Sequence, residues 1–469
     1  MISQTATLSV RSNVTEVRPL DALSEAFVHL GELANVNTNQ IIIVDGRLDV
    51  AMLEQSARLA LAGVPLLRAR PLPGRPGLQS DAFSGVRSLV RHREHAGVCD
   101  FGDTEFRRLL MDFSHVNRLD WRERAPVQLL LITAVDDATS CVYLCTHHGV
   151  ADARSDSLLF RLIIDHYAYL SGAAAAPPPS EPLPFDTLAE IRPDWYRPLT
   201  RTLRWLRGFR SVATDLVQRD IGLRVPLNGS RWEGRSAHPR IGELDFFHSV
   251  LPETLAERLI RVARATGVTV NTLLCAGLAR HLERASERGG GMLRITCAVS
   301  LRRLIDPRYD RSFRNYLVPS KIRVRLGLGA RGLIRSVHQA IGAARSDRQL
   351  STELGRLESL LLALRRRPLH GVARALIDGC QGTNACYSNP GRIEEDFSSF
   401  GSERHRTRQF IGFGCLVPPY DFILYTPSVN GRMQLDVVYR RAAFSAVRQQ
   451  FIGPLLSELQ RLLDELETP

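Results

Sequence analysis

The chain has 469 residues, of which 44% are hydrophobic and 23% are charged, and its formal net charge is +12. This composition predicts two or three globular domain-equivalents with a large core, and it excludes a disulfide-stabilised miniprotein, a collagen-like chain and a disordered tail. Lys321 is the only lysine, so arginine supplies nearly all of the positive charge. An arginine-rich surface favours anionic partners without choosing among them.

The cysteines and the apolar runs indicate the compartment. The eight cysteines form no CxxC pair and lie in apolar segments, which is typical of reduced, buried thiols. The N-terminal segment has no basic region followed by an apolar stretch, and no run approaches the ~18 apolar residues of a membrane span. We therefore expect a cytoplasmic protein without a transmembrane segment.

The first part of the chain alternates helices and strands. The predicted elements are a helix over 21–34, a strand over 39–44, a helix over 49–62 and a hairpin over 127–148. The second strand of the hairpin ends at two adjacent histidines, and another helix begins near Asp152. A segment rich in alanine and proline, 171–184, is the best candidate for a linker.

Beyond the linker, residues 193–217 have arginines and leucines at helical spacing. Such a helix could rest on a membrane or an acidic partner, but an ordinary helix with an arginine-rich solvated face is the favoured interpretation. Further predicted elements are helices over 252–266, 271–286 and 443–467 and strands near 383–388, 421–426 and 432–439. The whole pattern predicts two α/β domains, 1–180 and 181–469.

Residues 327–332, GLGARG, match the GxGxxG fingerprint of dinucleotide-binding folds and follow a strand-like segment. The acidic candidates that follow lie in a helical segment instead of at the end of a second strand. A glycine-rich turn that enters a helix is therefore favoured over a dinucleotide site.

The segment THHGVADA, residues 146–153, carries the most informative chemistry. Asp152 could simply stabilise the start of a helix, and His, His and Asp are also zinc-ligand types. Adjacent histidines of a strand point to opposite faces, however, so they rarely share one metal. The same alternation can present one imidazole to a cavity, where it takes a proton from a hydroxyl or amine and returns it to a departing thiolate.

This segment resembles the HHxxxD motif of the chloramphenicol-acetyltransferase-like (CAT-like) acyltransferases, which include the condensation domains of nonribosomal peptide synthetases and the polyketide-associated acyltransferases. Other segments between about residues 16 and 465 resemble the family in the same order. They are IIIVDGR at 41–47, VPLLR at 64–68, GVTVNTLL at 267–274, VSLR at 299–302, FRNY at 313–316, SNPG at 388–391 and the hairpin at Asn430-Gly431 with Tyr439. The chain departs from the family at Ala153, where a glycine is usual, and at Val64, where a histidine is usual.

The resemblance implies an α/β fold of two CAT-like subdomains, arranged as a V-shaped pseudo-dimer with an active-site tunnel between them. The N-terminal subdomain, 1–180, would carry the motif. His148 would be the catalytic general base, and His147 would be its structural companion.

The same resemblance implies the residues that surround the histidine. Asp152 would hold the motif loop through an arginine, for which Arg302 is the first candidate and Arg68 the second. The residues near the substrate would be Gly149, Ser388 and Asn389. No metal or bound cofactor would be needed.

The implied reaction transfers an acyl group from a carrier-protein or coenzyme A thioester to an alcohol or amine, and so forms an ester or amide in natural-product or lipid biosynthesis. A phosphopantetheine or coenzyme A thioester would be the donor substrate, and the acceptor would be a small molecule or carrier-bound. We expect a monomer that meets an acyl or peptidyl carrier protein in trans. The alternative is a catalytically inactive module that recruits carrier proteins. No nucleic-acid partner is expected, because no recognition motif is present.

Overall fold

The fold is built from thirteen helices and fifteen strands within the residues that the computed structural model describes: 17–73, 76–83, 88–179, 181–197, 200–217, 243–285, 291–381, 385–414, 416–417 and 420–468. The helices are α1 Ala22–Leu30, α2 Val50–Ala62, α3 Thr104–Val116, α4 Ala153–Leu170, α5 Leu188–Ile191, α6 Arg201–Val217, α7 Glu253–Thr266, α8 Val270–Ala285, α9 Arg302–Ile305, α10 Ala330–Ala344, α11 Asp347–Leu364, α12 His370–Gln381 and α13 Gly453–Glu467. The strands are β1 Val17–Pro19, β2 Asn37–Asp45, β3 Arg70–Pro71, β4 Gly77–Gln79, β5 Val90–His95, β6 Val127–Ala134, β7 Thr139–His147, β8 Leu244–Val250, β9 Met292–Ser300, β10 Leu317–Arg325, β11 Ala385–Ser388, β12 Thr407–Phe413, β13 Phe422–Tyr425, β14 Ser428–Val429 and β15 Arg432–Arg440.

The first large sheet carries the histidine motif. Its strand order is β12-β2-β7-β6-β5, with β5 parallel to β6 and the other pairs antiparallel. Successive residues of β2 pack on opposite faces, since Ile42 lies in the core with α2 and α4 while Ile41 lies in the core with α3. Both faces of this sheet are therefore covered, which explains the unbroken apolar run IIIV in β2.

The second large sheet belongs to the C-terminal half. Its strand order is β10-β9-β11-β13-β15, and β8 and β14 both pair with β15. The pairs β9–β11 and β11–β13 are parallel, and the remaining pairs are antiparallel. Its largest core cluster joins the sheet to helices α7, α8, α10, α11 and α13. A separate small sheet, β1-β4-β3, lies in the N-terminal half.

One strand crosses between the halves. β12 comes from the C-terminal half, but it pairs antiparallel with β2 at the edge of the first sheet, with Phe410 opposite Ile42. The sheets therefore do not divide at a single point in the chain. The boundary at 180/181 stays a prediction, but a C-terminal domain defined by it would include a strand of the first sheet.

The arginine-rich segment forms α6, and this helix packs against α11. Arg204 is buried and donates two hydrogen bonds to Glu358, at 3.1 and 2.7 Å. Gly208 and Gly355 allow the two backbones to touch, because a methyl group on either would overlap with the other helix. The predicted solvated arginine face is thus only partly correct, since one arginine and one glycine form the buried side.

The C-terminal helix begins later than predicted. The expected start at residue 443 is wrong, because α13 begins at Gly453 after a π-helical turn, Arg448–Ile452. The apolar residues of this approach segment pack as an aromatic cluster, in which the Phe444 and Phe451 rings lie 5.2 Å apart. The spacing of these apolar residues resembles that of one helix face, so the sequence pattern predicted the start of the helix too early.

Among the described helices, none alone is long and apolar enough to span a bilayer. The consecutive helices α7 and α8 meet the length and hydropathy test only when taken together, and they meet at an angle of 104°. Residues of both helices belong to the largest core cluster.

We expect Gly355→Ala to lower the free energy of unfolding by about 1–3 kcal/mol, because the added methyl group forces α6 and α11 apart. The matched control is Gly342→Ala in α10, where a Cβ meets nothing within 4 Å. That change should be neutral or stabilise by up to about 1 kcal/mol, since alanine is the better helix former. Urea unfolding of both variants measures the difference, and equal effects would contradict the crossing.

Candidate active site

The two histidines end β7 with opposite hydrogen-bonding states. Nδ1 of His147 accepts from the Gly149 backbone N–H at 2.9 Å, so this ring must carry its proton on Nε2. Nδ1 of His148 lies 2.8 Å from the Ala151 carbonyl, which can only accept. Neutral His148 therefore carries its proton on Nδ1 and keeps the lone pair of Nε2 available.

Burial lowers the pKa of both histidines. His147 is fully buried, and burial together with the neighbouring His148 and Arg122 lowers its pKa to about 3. Burial also lowers the pKa of His148, although the Ala151 carbonyl and the Asp152 charge act in the opposite direction. Both rings are thus neutral near pH 7, and only His148 remains partly exposed.

Asp152 caps the helix that follows the motif. Its Oδ1 accepts from the Ser155 backbone N–H at 2.9 Å, and its Oδ2 accepts from the Tyr316 backbone N–H at 3.0 Å. Arg302 donates to Oδ1 at 2.8 Å, and both side chains are buried. Burial alone would raise the pKa of Asp152, but the Arg302 charge and these N–H groups hold it below its usual value. Asp152 is therefore an ion-pair partner in the loop and is not placed to act as a base.

Arg302 connects the motif to the C-terminal half. Its guanidinium donates to the carbonyls of Tyr309, Ser312 and Arg314 at 2.6–2.8 Å and also to the Ser155 hydroxyl. This is the arginine that the sequence favoured as the partner of Asp152. Arg68, the second candidate, lies elsewhere and pairs with Asp81 at 3.2 Å. The assignment of Arg68 to the motif loop is therefore wrong.

Asn315 of the C-terminal half holds the motif from the other side, and its neighbour Arg314 binds the start of α1. Asn315 donates to the His148 carbonyl at 2.6 Å, and its Oδ1 accepts from the Leu317 N–H. Arg314 is fully buried and donates to Asp21 and to the Ser24 hydroxyl, both at 2.9 Å. Sequence reasoning noted the FRNY segment but assigned these side chains no role, because a local pattern does not show which distant residue an arginine meets.

Helix α1 places an aromatic ring beside the catalytic candidate. The Phe27 ring lies 4.4 Å from the His148 ring, tilted by 39°. Asp21 caps this helix by accepting from the Ser24 backbone N–H, and it also accepts from the Leu188 backbone N–H. Because a nine-residue helix is not stable alone, the Asp21 contacts position Phe27 over the imidazole.

The space at residue 149 admits no side chain larger than that of glycine. A Cβ at this position would lie 2.9 Å from Nδ1 of His147 and 3.3 Å from the Ser24 carbonyl. Ala153, by contrast, is the first residue of α4 and is not among the residues with positive φ. The departure from the usual glycine at Ala153 therefore leaves the loop conformation intact.

Ser388 and Asn389 lie at the end of β11 in the second sheet. Asn389 donates to Asn271 at 2.9 Å and accepts from the Gly391 backbone N–H at 2.7 Å. The Ser388 carbonyl accepts from the Thr426 backbone N–H. Within the described contacts, neither residue bonds to the histidines, so their proximity to substrate stays a prediction.

The zinc alternative has no matching ligand set where the structure is described. In those ranges, no three His, Cys, Asp or Glu side chains are grouped as a metal site. Both carboxylate oxygens of Asp152 are already occupied by Arg302 and backbone N–H groups.

Solved structures share this architecture over nearly the whole chain. The first condensation domain of the calcium-dependent antibiotic synthetase, in complex with a substrate analogue, has a TM-score of 0.68 and 19% identity and covers 97% of this chain and 98% of its own. The chain has the condensation-domain fold. The condensation domain of the Monacolin K polyketide synthase MokA matches with a TM-score of 0.63 and 14% identity, over 97% of this chain and 98% of its own.

A third structure with the condensation-domain fold is the X-domain from teicoplanin biosynthesis in its complex with OxyB, with a TM-score of 0.60 and 16% identity over 100% of this chain and 97% of its own. No protein-family model and no curated protein matches the sequence. The two-subdomain α/β fold expected from the motif is thereby confirmed.

Removing Arg302 should test the ion pair. We expect Arg302→Met to lower the free energy of unfolding by about 3–5 kcal/mol, because it leaves the Asp152 charge buried without its partner. The control is Arg68→Met, whose partner Asp81 is well exposed, and it should cost less than about 1 kcal/mol. Similar losses in the two variants, measured by urea unfolding, would contradict this account.

Asp156 predicts a pH dependence of stability. Burial raises its pKa from 3.8 to about 7, although the hydrogen bond that it accepts from the Thr146 hydroxyl acts in the opposite direction. The unfolded state ionises first, so this group's stabilisation is complete below about pH 4 and is lost as the pH rises to about 7. Between pH 5 and 8 the wild type should lose about 3 kcal/mol that Asp156→Asn does not lose. Parallel pH–stability curves for the two proteins would refute the prediction.

Proposed function

We propose that this protein is a condensation-type acyltransferase in which His148 is the general base. The acceptor's hydroxyl or amine gives a proton to Nε2 of His148 as its oxygen or nitrogen bonds to the acyl carbon of a thioester. The C–S bond then breaks, and the imidazolium returns the proton to the departing thiolate. The products are an ester or amide and a free thiol, and no redox or metal chemistry is required.

The observation that carries this proposal is the protonation state of His148. The Ala151 carbonyl fixes the proton on Nδ1, which leaves Nε2 as a base at neutral pH. Burial lowers the pKa of His148 below its usual value of 6.5, which favours the unprotonated ring near neutral pH. An imidazole that is held neutral, oriented and partly exposed suits proton transfer better than a purely structural role.

The surroundings of His148 support a site at the junction of the two halves. Asn315 and Arg302 come from the C-terminal half, whereas Phe27 and the motif come from the N-terminal half. A thioester donor and an acceptor that approach from different sides of this junction would meet at the imidazole. The donor proposed is a carrier protein in trans or coenzyme A, and a monomer in the cytoplasm stays the predicted form.

The alternative is a catalytically inactive module that recruits a carrier protein or another enzyme. One structure with this fold, the X-domain, is known in a complex with OxyB. The unprotonated Nε2 of His148 favours a catalytic function over a recruiting one, because a recruiting surface does not require an oriented base.

We expect His148→Ala to lower turnover roughly 10²- to 10⁴-fold, because the proton acceptor is lost while the fold remains. The rate of the wild type should rise with pH through an inflection below the ordinary histidine value of 6.5, since burial lowers the pKa of His148. The assay is intact-protein mass spectrometry of acyl-loaded carrier proteins, with and without candidate acceptors, which identifies the donor and acceptor together.

The matched control is His92→Ala, which removes an exposed histidine from the edge strand β5. This variant should keep the wild-type rate. Wild-type turnover by folded His148→Ala would refute the general-base assignment. Carrier binding without thiol release from any thioester in the panel would favour the recruiting module.

A further inference from the structure

Helix α6 buries a polar side and exposes an apolar side, which is the reverse of an ordinary surface helix. Its buried side presents Arg204 and Gly208 to α11, and its solvent side presents four large apolar residues that are 37–56% exposed. They are Leu203, Trp205, Leu206 and Phe209, and the Trp205 and Phe209 rings stack at 5.8 Å. We call these four residues the α6 face. Contiguous exposed apolar groups of this size mark an interaction surface.

The charged side chains that α6 itself exposes in the described residues all have one sign. Arg201, Arg207 and Arg210 are exposed on the same helix. Between Arg201 and Asp215 the only acidic residue is Asp215, which is buried and paired with Lys321 and Arg356. A partner of the α6 face must therefore offer apolar groups to the aromatic rings and anionic groups to the guanidinium groups. A surface with an anionic layer over an apolar interior meets both requirements.

The described contacts between the α6 face and the proposed catalytic histidine run through two other helices. α6 packs on α11, α11 is joined to α1 by the Arg365–Glu25 ion pair, and α1 carries the Phe27 ring that contacts His148. None of the described contacts joins the α6 face to the imidazole itself, which favours an anchoring role over contact with the reacting groups.

We propose that the α6 face binds an anionic lipid surface, with the aromatic and leucine side chains in the interface and the arginines on the phosphates. A helix that combines exposed Trp, Phe and Leu with arginine is the composition of interfacial helices. Membrane phosphates complement the exposed arginines of α6, and a fluid lipid surface can adapt to the convex side of a helix. The binding is peripheral and reversible, and it does not depend on the reaction proposed for His148.

The test is co-sedimentation of the full chain with vesicles of phosphatidylcholine alone or mixed with phosphatidylglycerol. The wild type should bind the mixed vesicles and bind neutral vesicles at least roughly tenfold more weakly. Trp205→Ser with Phe209→Ser, and separately Arg207→Gln with Arg210→Gln, should each reduce partitioning roughly tenfold or more. The matched control, Val116→Ser with Val135→Ser, removes two exposed apolar side chains elsewhere and should bind like the wild type.

Several results would overturn the proposal. They are absence of wild-type binding to mixed vesicles, equal binding to neutral vesicles, and binding that the control weakens as much as the α6 variants do. A dimer in solution that Trp205→Ser with Phe209→Ser dissociates, without vesicle binding, would assign the face to a second copy of the chain. Retention of an acidic carrier protein through the same residues, again without vesicle binding, would assign it to a protein partner. Circular dichroism confirms that each variant is folded, so loss of binding is interpretable.

Discussion

The buried ion pair between Arg302 and Asp152 is the interaction on which the site depends. It joins residues 150 positions apart, and the Arg302 guanidinium also donates to the Tyr309, Ser312 and Arg314 carbonyls. A buried guanidinium is costly unless its donors are used, and here Nη1 and Nη2 have acceptors in both halves. The pair thus acts as a geometrical constraint: it sets the position of the motif loop relative to the opposing segment that carries Asn315.

The two histidines show how one strand can serve the core and a reactive surface at once. Alternation along β7 turns His147 inward, where it accepts a backbone hydrogen bond and stays neutral. The chain leaves the strand at the next residue, and the Ala151 carbonyl orients the ring of His148 in the opposite tautomer. One residue of displacement therefore separates a structural imidazole from one whose Nε2 is available.

Local patterns predicted much of this structure. The strand and hairpin around residues 39–44 and 127–148 and the helix after Asp152 agree with what the periodicity indicated. The pairing of Arg302 with Asp152 agrees with what the resemblance to the CAT-like family implied. Two of the misses depend on contacts far along the chain. Strand β12 pairs with β2 of the first sheet, and Arg314 meets Asp21 across 293 positions.

The exposed leucines of α6 illustrate the same limit in a different way. A helical stripe of leucines normally predicts the buried face, and the arginines between them predict the solvated one. Here a bidentate pair with Glu358 and a contact between two glycines decide which side is buried. The choice therefore depends on the sequence of a second helix, which periodicity within α6 does not contain.

The pairing of β12 with β2 has a consequence for folding during translation. One edge of β2 stays unpaired until its neighbour β12 is synthesised, more than 360 residues later in the chain. At ribosomal speeds of about 5–20 residues per second, this edge of β2 stays unpaired for roughly 20–70 s. An apolar strand with a free edge invites pairing with other chains. We therefore expect the nascent N-terminal half to be prone to pairing with other chains until β12 has been synthesised.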